Sequence, residues 1–456
     1  MKRLPTAAVV ACLAAPGGWA EPLTRAQAVA RALEAHPEVH KSEHDVALYQ
    51  GRVREATADA LPDVSVLGSA LRYRDPALLN SSSFDAFPPE LRQSLRPVGA
   101  NLFDGAAQVR QTLFSFKLGS AIRAARLSTT LGQEQLRRSR QAVALDAIRA
   151  YNDFLLARER VRVEESSVRQ KEEHLAMARN RRAAGVATDL DVLRSQVDLE
   201  NTRTQLLRLR GAQDLALARL NAVMVRPIDA PVEPVDSLAY EPLEVGLDQV
   251  IREATANRPE LRGAAVTERI YEELVGVARG EGLPRLDLAA AWGWSVRQPR
   301  NFLERDFAKW NAAVSFTLPV FDGRRSSGRV AQARAERGKA AQDRIALENQ
   351  IRLEAKESVD RLAVAKSVLG SAELNVEQAR RAAEMTQANY RAGAATTLDV
   401  LDAQAALTLA ESLRVEALYD HANARATVRY VMARDPLEAG PASPVASLDA
   451  EKASER

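Results

Sequence analysis

Gly185-Val186-Ala187-Thr188-Asp189-Leu190-Asp191-Val192-Leu193 and Gly393-Ala394-Ala395-Thr396-Thr397-Leu398-Asp399-Val400-Leu401 are one phrase written twice. Each glycine follows a long stretch of alanine, leucine and charged residues, and glycine suits the left-handed turn that ends a helix. Each threonine, three residues on, is placed to cap a returning helix. The phrase therefore predicts two helical hairpins with tight tips. The spacing of 208 between the copies (185 to 393) also superposes Arg182 on Tyr390 and Val223-Met224 on Val431-Met432.

Working outward, further blocks repeat in the same order. His36-Pro37-Glu38-Val39 and Leu61-Pro62 recur 222 residues later, as Arg258-Pro259-Glu260-Leu261 and Leu283-Pro284. Thr112-Leu113-Phe114-Ser115-Phe116 recurs 205 residues later as Thr317-Leu318-Pro319-Val320-Phe321. A near-constant offset across separated blocks marks tandem duplication. The expected organisation is a first repeat over 21–224, a linker over 225–244 and a second repeat over 245–435, with a disordered tail over 436–456. Each repeat is expected to hold short helices, a strand pair and a long helical hairpin.

Within each repeat the periodicities change in turn. Thr24 is placed to cap a short helix through Ala35, and Pro37 to open the next, where its missing N–H costs nothing. Leu286, Leu288, Ala290, Trp292, Trp294 and Val296 alternate with Arg285, Asp287, Ala289, Ala291, Gly293 and Ser295. Trp310, Ala312, Val314, Phe316, Leu318 and Val320 alternate with Asn311, Ala313, Ser315 and Thr317. One apolar face and one small or polar face over about ten residues is the pattern of a membrane barrel strand. The first copy is less regular: Val64, Val66, Val109 and Leu113 fit, while Gln111 and Arg72 fall on the lipid side. Gly119 to Ala183 and Arg324 to Ala392 then read as long helices with a narrow apolar stripe, which must pack side by side. Asn80 to Pro89 and Gln298 to Lys309 read as the loops within the strand pairs.

Composition narrows the function classes. The 456 residues carry 63 Lys+Arg against 60 Asp+Glu, a net charge of +3, which lacks the basic footprint of a nucleic-acid binder. Aromatic residues make up 5%, too few for a large Phe/Trp core. Residues 1–20 read as an export signal, with Met1-Lys2-Arg3 before an apolar stretch and Ala20 at the cleavage point. Val9-Val10-Ala11-Cys12 also fits a lipobox, which would make Cys12, the chain's single cysteine, a lipidated N-terminus. Past the signal no run of about 18 apolar residues follows, so a membrane span would have to be β. About eight strands are the fewest that close a barrel, and an open sheet in lipid leaves edge groups unsatisfied. Four strands per chain therefore imply assembly of identical chains.

Other signals point nowhere definite. His36, His40 and His44 recur every four residues, but no neighbouring pattern completes a metal shell. Gly276, Gly280 and Gly282 follow a helical stretch and lack a Gly-Lys-Ser/Thr, unlike a phosphate loop. No nucleophile context accompanies the serines and histidines, so no catalytic residue, metal or cofactor is expected.

The doubled tip phrase, with Leu23-Thr24 through His36-Pro37-Glu38 as an opening segment, resembles the TolC-type outer-membrane efflux proteins, the outer membrane factors. The resemblance spans nearly all of the chain to about Asp435. It implies a mainly α fold with a β-barrel portion: long hairpins forming a periplasmic α-barrel, and four strands per chain completing a twelve-stranded trimeric barrel in outer-membrane lipid. It implies a Gram-negative outer-membrane homotrimer serving as the exit duct of a tripartite export system. The duct is joined through a periplasmic adaptor (a membrane fusion protein) to an inner-membrane RND or ABC transporter. Efflux of drugs or metal ions and type I protein secretion share such an outer component, and a non-inserted periplasmic coiled-coil scaffold is a third reading. By resemblance, Gly185, Thr188, Gly393 and Thr396 are the tip positions that meet the adaptor. Asp191 and Tyr390 match positions that hold the closed tip. Asp399 and Asp402 match acidic positions ringing the periplasmic mouth, where three copies would favour cations and raise some carboxyl pKa values by repulsion. Equally, these aspartates read as helix-start carboxylates favoured by the helix dipole. Ala395 stands where the family pattern has an arginine, so the closed state is expected to be held differently or less firmly.

Overall fold

A computed structural model describes residues 21–74, 87–90 and 100–434. The expected signal, Cys12, most of the loop from Asn80 and the tail lie outside these residues. Two compact units emerge: one draws on 21–43, 135–261 and 346–434, the other on 44–134 and 262–345. Both sequence repeats contribute to both units.

In the first unit, β1 (Glu21–Leu23) pairs in parallel with β4 (Val232–Pro234). Thr24 then caps α1 (Arg25–Ala35) in a full capping box with Gln27, and Pro37 opens α2 (Pro37–Ala58). The long helices are α3 (Phe116–Ala183) and α7 (Arg325–Arg391), returning as α4 (Asp189–Val223) and α8 (Thr397–Val431). Proline-free sequence lets α3 and α7 run 68 and 67 residues. Helix α5 (Leu247–Asn257) precedes α6 (Pro259–Gly280), the second copy of α1 and α2.

The core of this unit is built where helices meet the short parallel ladder. Tyr151, Phe154 and Leu155 of α3 pack with Leu220 of α4 and its C-cap Met224, Leu23 of β1, Val232 of β4, Leu369 of α7 and Leu418 of α8. Each large side chain buried there contributes roughly 1.5–3 kcal/mol of transfer free energy. The buried Tyr151 hydroxyl donates to the Leu23 carbonyl at 2.8 Å and accepts from the Asp236 N–H at 3.3 Å, fixing the entry strand to the long helix. Return helices α4 and α8 end alike: Val225 (φ 54°) and Ala433 (φ 56°) take the left-handed conformation without being glycine. In both, the following N–H (Arg226, Arg434) bonds back to the carbonyl of Asn221 or Arg429, closing a Schellman turn.

The second unit holds a four-stranded antiparallel sheet among the described residues, ordered β2 (Asp63–Tyr73), β3 (Ala100–Ser115), β5 (Arg285–Val296) and β6 (Ala308–Thr317). Register places Ala107, Trp292 and Trp310 side by side, then Val109, Ala290 and Ala312, then Gln111, Leu288 and Val314, then Phe114, Leu286 and Phe316. This face is apolar and exposed, Trp310 by 77% and Val66 by 81%. The opposite face carries Ser65, Gln108, Arg110, Thr112, Asp287, Ser295, Lys309 and Asn311. There Lys309 Nζ meets Asp104 Oδ1 at 2.6 Å and the Thr112 hydroxyl meets Asp287 Oδ1 at 3.1 Å. Among the described residues β2 and β6 are each paired on one side only.

Four sequence expectations shift. The second hairpin ends at Thr317, so Leu318 and Val320 lie beyond it; Pro319, lacking an N–H, cannot continue a ladder. Leu113 falls at a β-bulge between Thr112 and Phe114, so Phe114 instead takes the apolar face opposite Leu286. The loop expected to reach Lys309 ends sooner, with short 3-10 turns at Pro299–Asn301 and Arg305–Phe307 before β6. From it Phe302 folds back beside Trp294, with ring centroids 5.9 Å apart. Helix α3 starts at Phe116 rather than Gly119, and Gly132 does not break it: a Cβ there would lie 2.6 Å from the Tyr49 ring.

Replacing Tyr151 by Phe should leave the Leu23 carbonyl and Asp236 N–H without this partner, at a cost of about 1–3 kcal/mol. A thermal melt of the detergent-purified protein would check this; an unchanged midpoint would contradict the role given to the hydroxyl.

Candidate functional site at the hairpin tips

The first unit carries both tips. Gly185 (φ 76°) and Gly393 (φ 79°) hold the left-handed position at which other residues are strained. The N–H of Val186 bonds to the Arg181 carbonyl at 2.9 Å and that of Ala394 to the Asn389 carbonyl at 2.8 Å, so each long helix closes in a Schellman turn. Thr188 and Thr396 then adopt the same extended backbone, φ −91° with ψ 160° and 163°.

Each return helix starts with a capping box in which the acidic residue is the partner of the threonine. The Thr188 N–H donates to Asp191 Oδ2 at 3.0 Å and the Asp191 N–H to Thr188 Oγ1 at 3.2 Å. The Thr396 N–H donates to Asp399 Oδ2 at 2.7 Å and the Asp399 N–H to Thr396 Oγ1 at 3.2 Å. Asp191 and Asp399 are thus the two copies of one position. Hydrogen bonds from the threonine hydroxyl and N–H hold both carboxyls below their ordinary pKa. In a single chain this opposes the upward shift expected from repulsion around a mouth.

The two hairpins join beside the tips through Tyr390, which is buried. The Arg181 guanidinium lies over its ring, 4.7 Å from the centroid, and Arg181 Nη1 donates to the Tyr390 carbonyl at 2.7 Å. The Thr397 hydroxyl reaches Tyr390 Oη at 3.4 Å and stands near enough to Asp191 to help lower its carboxyl pKa. The imidazole of His174, on α3, packs against the same ring with centroids 5.2 Å apart. Tyr390 and Asp191 are therefore brought together, with Thr397 between them. Asp399 and Asp402 stand on exposed positions of α8, and among the described residues neither joins the hydrogen bonds around Tyr390. At the tip itself Arg182 pairs with Asp189.

Arg181, His174 and Thr397 were not singled out by sequence. They belong to different hairpins, and only tertiary packing unites them; the Arg181-Arg182 pair at a helix C-terminus was the one local cue. The histidines of α2 do not form one helical face, because His36 is the C-cap of α1, while His40 pairs with Glu43. Among the described residues no helix is long and apolar enough to cross a membrane.

Thr188→Ala and Thr396→Ala should each weaken the start of a return helix by about 1 kcal/mol. Hydrogen exchange at residues 188–192 for the first and 396–400 for the second would read the loss. The boxed aspartates favour the folded state above their ordinary pKa of about 3.9 and lose that contribution as pH falls through their lower folded value, so protection at both tips should persist to about pH 4.

Among proteins of known role, the chain is 24% identical over 328 residues to the alkaline protease secretion protein AprF of Pseudomonas aeruginosa, covering 71% of this chain and 68% of AprF. It is 23% identical over 391 residues to the outer membrane protein OprJ of the same organism, covering 82% and 76%. Its fold matches the crystal structure of the Campylobacter jejuni CmeC outer membrane channel with a TM-score of 0.79, at 15% identity over 94% of this chain and 89% of that one. The family model described as outer membrane efflux protein matches residues 28–224 and 250–434, nearly the whole described chain. With the duplicated tips and the apolar-faced sheet already in view, this match makes the chain a member of the outer membrane efflux protein family.

Proposed function

We propose that the protein is a non-enzymatic homotrimeric exit duct of a tripartite export system. The observation that carries this reading is the sheet: one face apolar and exposed, the other polar, and both outer strands paired on one side only among the described residues. Unpaired backbone groups in hydrocarbon cost several kcal/mol each, so β2 and β6 need strands from further copies. Three chains supply twelve strands, enough to enclose a bore lined by the Asp104, Lys309, Arg110 and Asp287 face. Family membership speaks against the non-inserted scaffold.

The tips Gly185, Thr188, Gly393 and Thr396 are proposed to meet a periplasmic adaptor, itself bound to an inner-membrane RND or ABC transporter. Asp191 and Tyr390 are proposed to hold the periplasmic end closed, and Asp399 and Asp402 to charge its mouth. With Ala395 in place of a cation, Arg181 over Tyr390 is the positive group that secures the joint. Efflux of small molecules is the leading cargo class. Protein secretion remains a second reading, favoured by the likeness to AprF, a secretion protein.

Purified protein should form ion-conducting pores in planar bilayers and crosslink to a trimer; complete electrical silence from a folded trimer would count against the duct. The double variant Asp399→Ala with Asp402→Ala should lower cation over anion preference without unfolding. Reversal potentials under a salt gradient read this, and an unaltered preference would remove the charged-mouth assignment.

A further inference from the structure

His174 stands out among the groups that the duct reading does not use. Its side chain is 1% exposed, and neither Nδ1 nor Nε2 reaches a protein hydrogen-bond partner. Buried imidazoles without a partner are uncommon, since a polar group taken from water into such a site costs about 1–3 kcal/mol. The site is also a joint, because His174 belongs to the first hairpin and the ring it packs against, Tyr390, to the second.

The surroundings tolerate a neutral ring and oppose a cation. From its own helix, Lys171 stands one turn before His174, and Arg181 already occupies the Tyr390 ring. From α4, Asp191 and Asp198 supply negative potential, but both are engaged. Asp198 accepts from Lys171 Nζ at 3.0 Å, and Asp191 is tied to Thr188, with Arg194 beside it. From α7 and α8 come the Tyr390 ring and the Thr397 hydroxyl, which already contacts the Tyr390 phenol. Burial accordingly pushes the imidazole below its ordinary pKa, with Asp198 and Asp191 countering only in part.

We propose that His174 is a proton-operated latch between the two hairpins: neutral, it packs on Tyr390 and holds the tips together, and once charged it forces them apart. What the release accomplishes, opening of the duct's periplasmic end, rests on the function proposed above. The direction follows from linkage. With the hairpins apart the imidazole meets water and regains a pKa of about 6.5, whereas packed it sits lower. The separated form therefore binds more protons, and acid favours it. Between those two values each pH unit shifts the balance by up to about tenfold per subunit. In this packing a protonated ring would also present two N–H donors with no acceptor, against an aromatic ring that already carries the Arg181 cation.

The test compares the full-length protein with His174→Gln, and with His174→Phe, which keeps a ring against Tyr390 and cannot charge. In planar bilayers at about pH 7.5 and about pH 5.5, open probability of the unmodified protein should rise several-fold on acidification and stay flat in both variants. A second readout does not need conduction. In a Cys12→Ser background, Ala178→Cys places a thiol one turn from His174 at a fully buried position, and Val186→Cys places one at the exposed tip. The ratio of their labelling rates by a methanethiosulfonate should rise on acidification only where His174 is present. An acid response equal in the variants, or none in the unmodified protein, overturns the latch. Electrical silence with a His174-dependent labelling response would sustain the latch and sink the duct reading instead.

Discussion

Backbone N–H and C=O groups that enter hydrocarbon have no water to fall back on, and this demand organises much of the molecule. The sheet of the second unit satisfies its inner ladders, β2 with β3, β3 with β5 and β5 with β6, and among the described residues leaves one row of groups at each margin. Its side chains sort by the same demand. Tryptophan, valine and phenylalanine line one face in register across three strands, while ion pairs and hydroxyl bonds such as Lys309 with Asp104 occupy the other. A soluble half-buried hairpin would cover its apolar face with its own chain; here Val66, Trp310 and Phe316 stay exposed.

The first unit answers a different problem, how to keep very long helices in register with few large apolar residues. The response is local closure at each end. Schellman turns, capping boxes and left-handed residues recur at the same offset of 208 in both copies, so each hairpin is set by its own short-range bonds. Apolar packing is concentrated around Tyr151, Leu220 and Val232, where the entry strand and the return helices converge. Salt bridges elsewhere along the helices, such as Arg210 with Glu165 or Arg380 with Glu411, are mostly exposed and worth a few tenths of a kcal/mol each.

Local chemistry was legible in the sequence and tertiary chemistry was not. Thr24, Thr188 and Thr396 declare their caps because a cap needs only neighbours within three residues. The alternation from Leu286 to Val296 names its strand because period two survives in a single segment. The weaker alternation of the first copy is one of composition, since Gln111 and Arg72 do stand on the apolar face; the bulge only puts Phe114 there in place of Leu113. At the tips, the four hairpin positions Gly185, Thr188, Gly393 and Thr396 follow from local rules. The Arg181, His174 and Thr397 cluster around Tyr390 does not, because its members lie on three helices with unremarkable flanking sequence. Asp399 and Asp191 were given separate roles by resemblance, yet structurally they are the same capping residue in two copies.

Carrying both copies in one polypeptide has a consequence for symmetry. Position 182 of the first copy corresponds to position 390 of the second, and the residues there are arginine and tyrosine, one exposed and paired with Asp189, the other buried under a guanidinium. A ring assembled from single, unfused copies would repeat one side chain at this position, and could not expose an arginine at one tip while burying a tyrosine at the next. Fusion releases the two halves to drift apart chemically while their turns stay superimposable, so alternate hairpins can specialise, one to grip and one to be gripped.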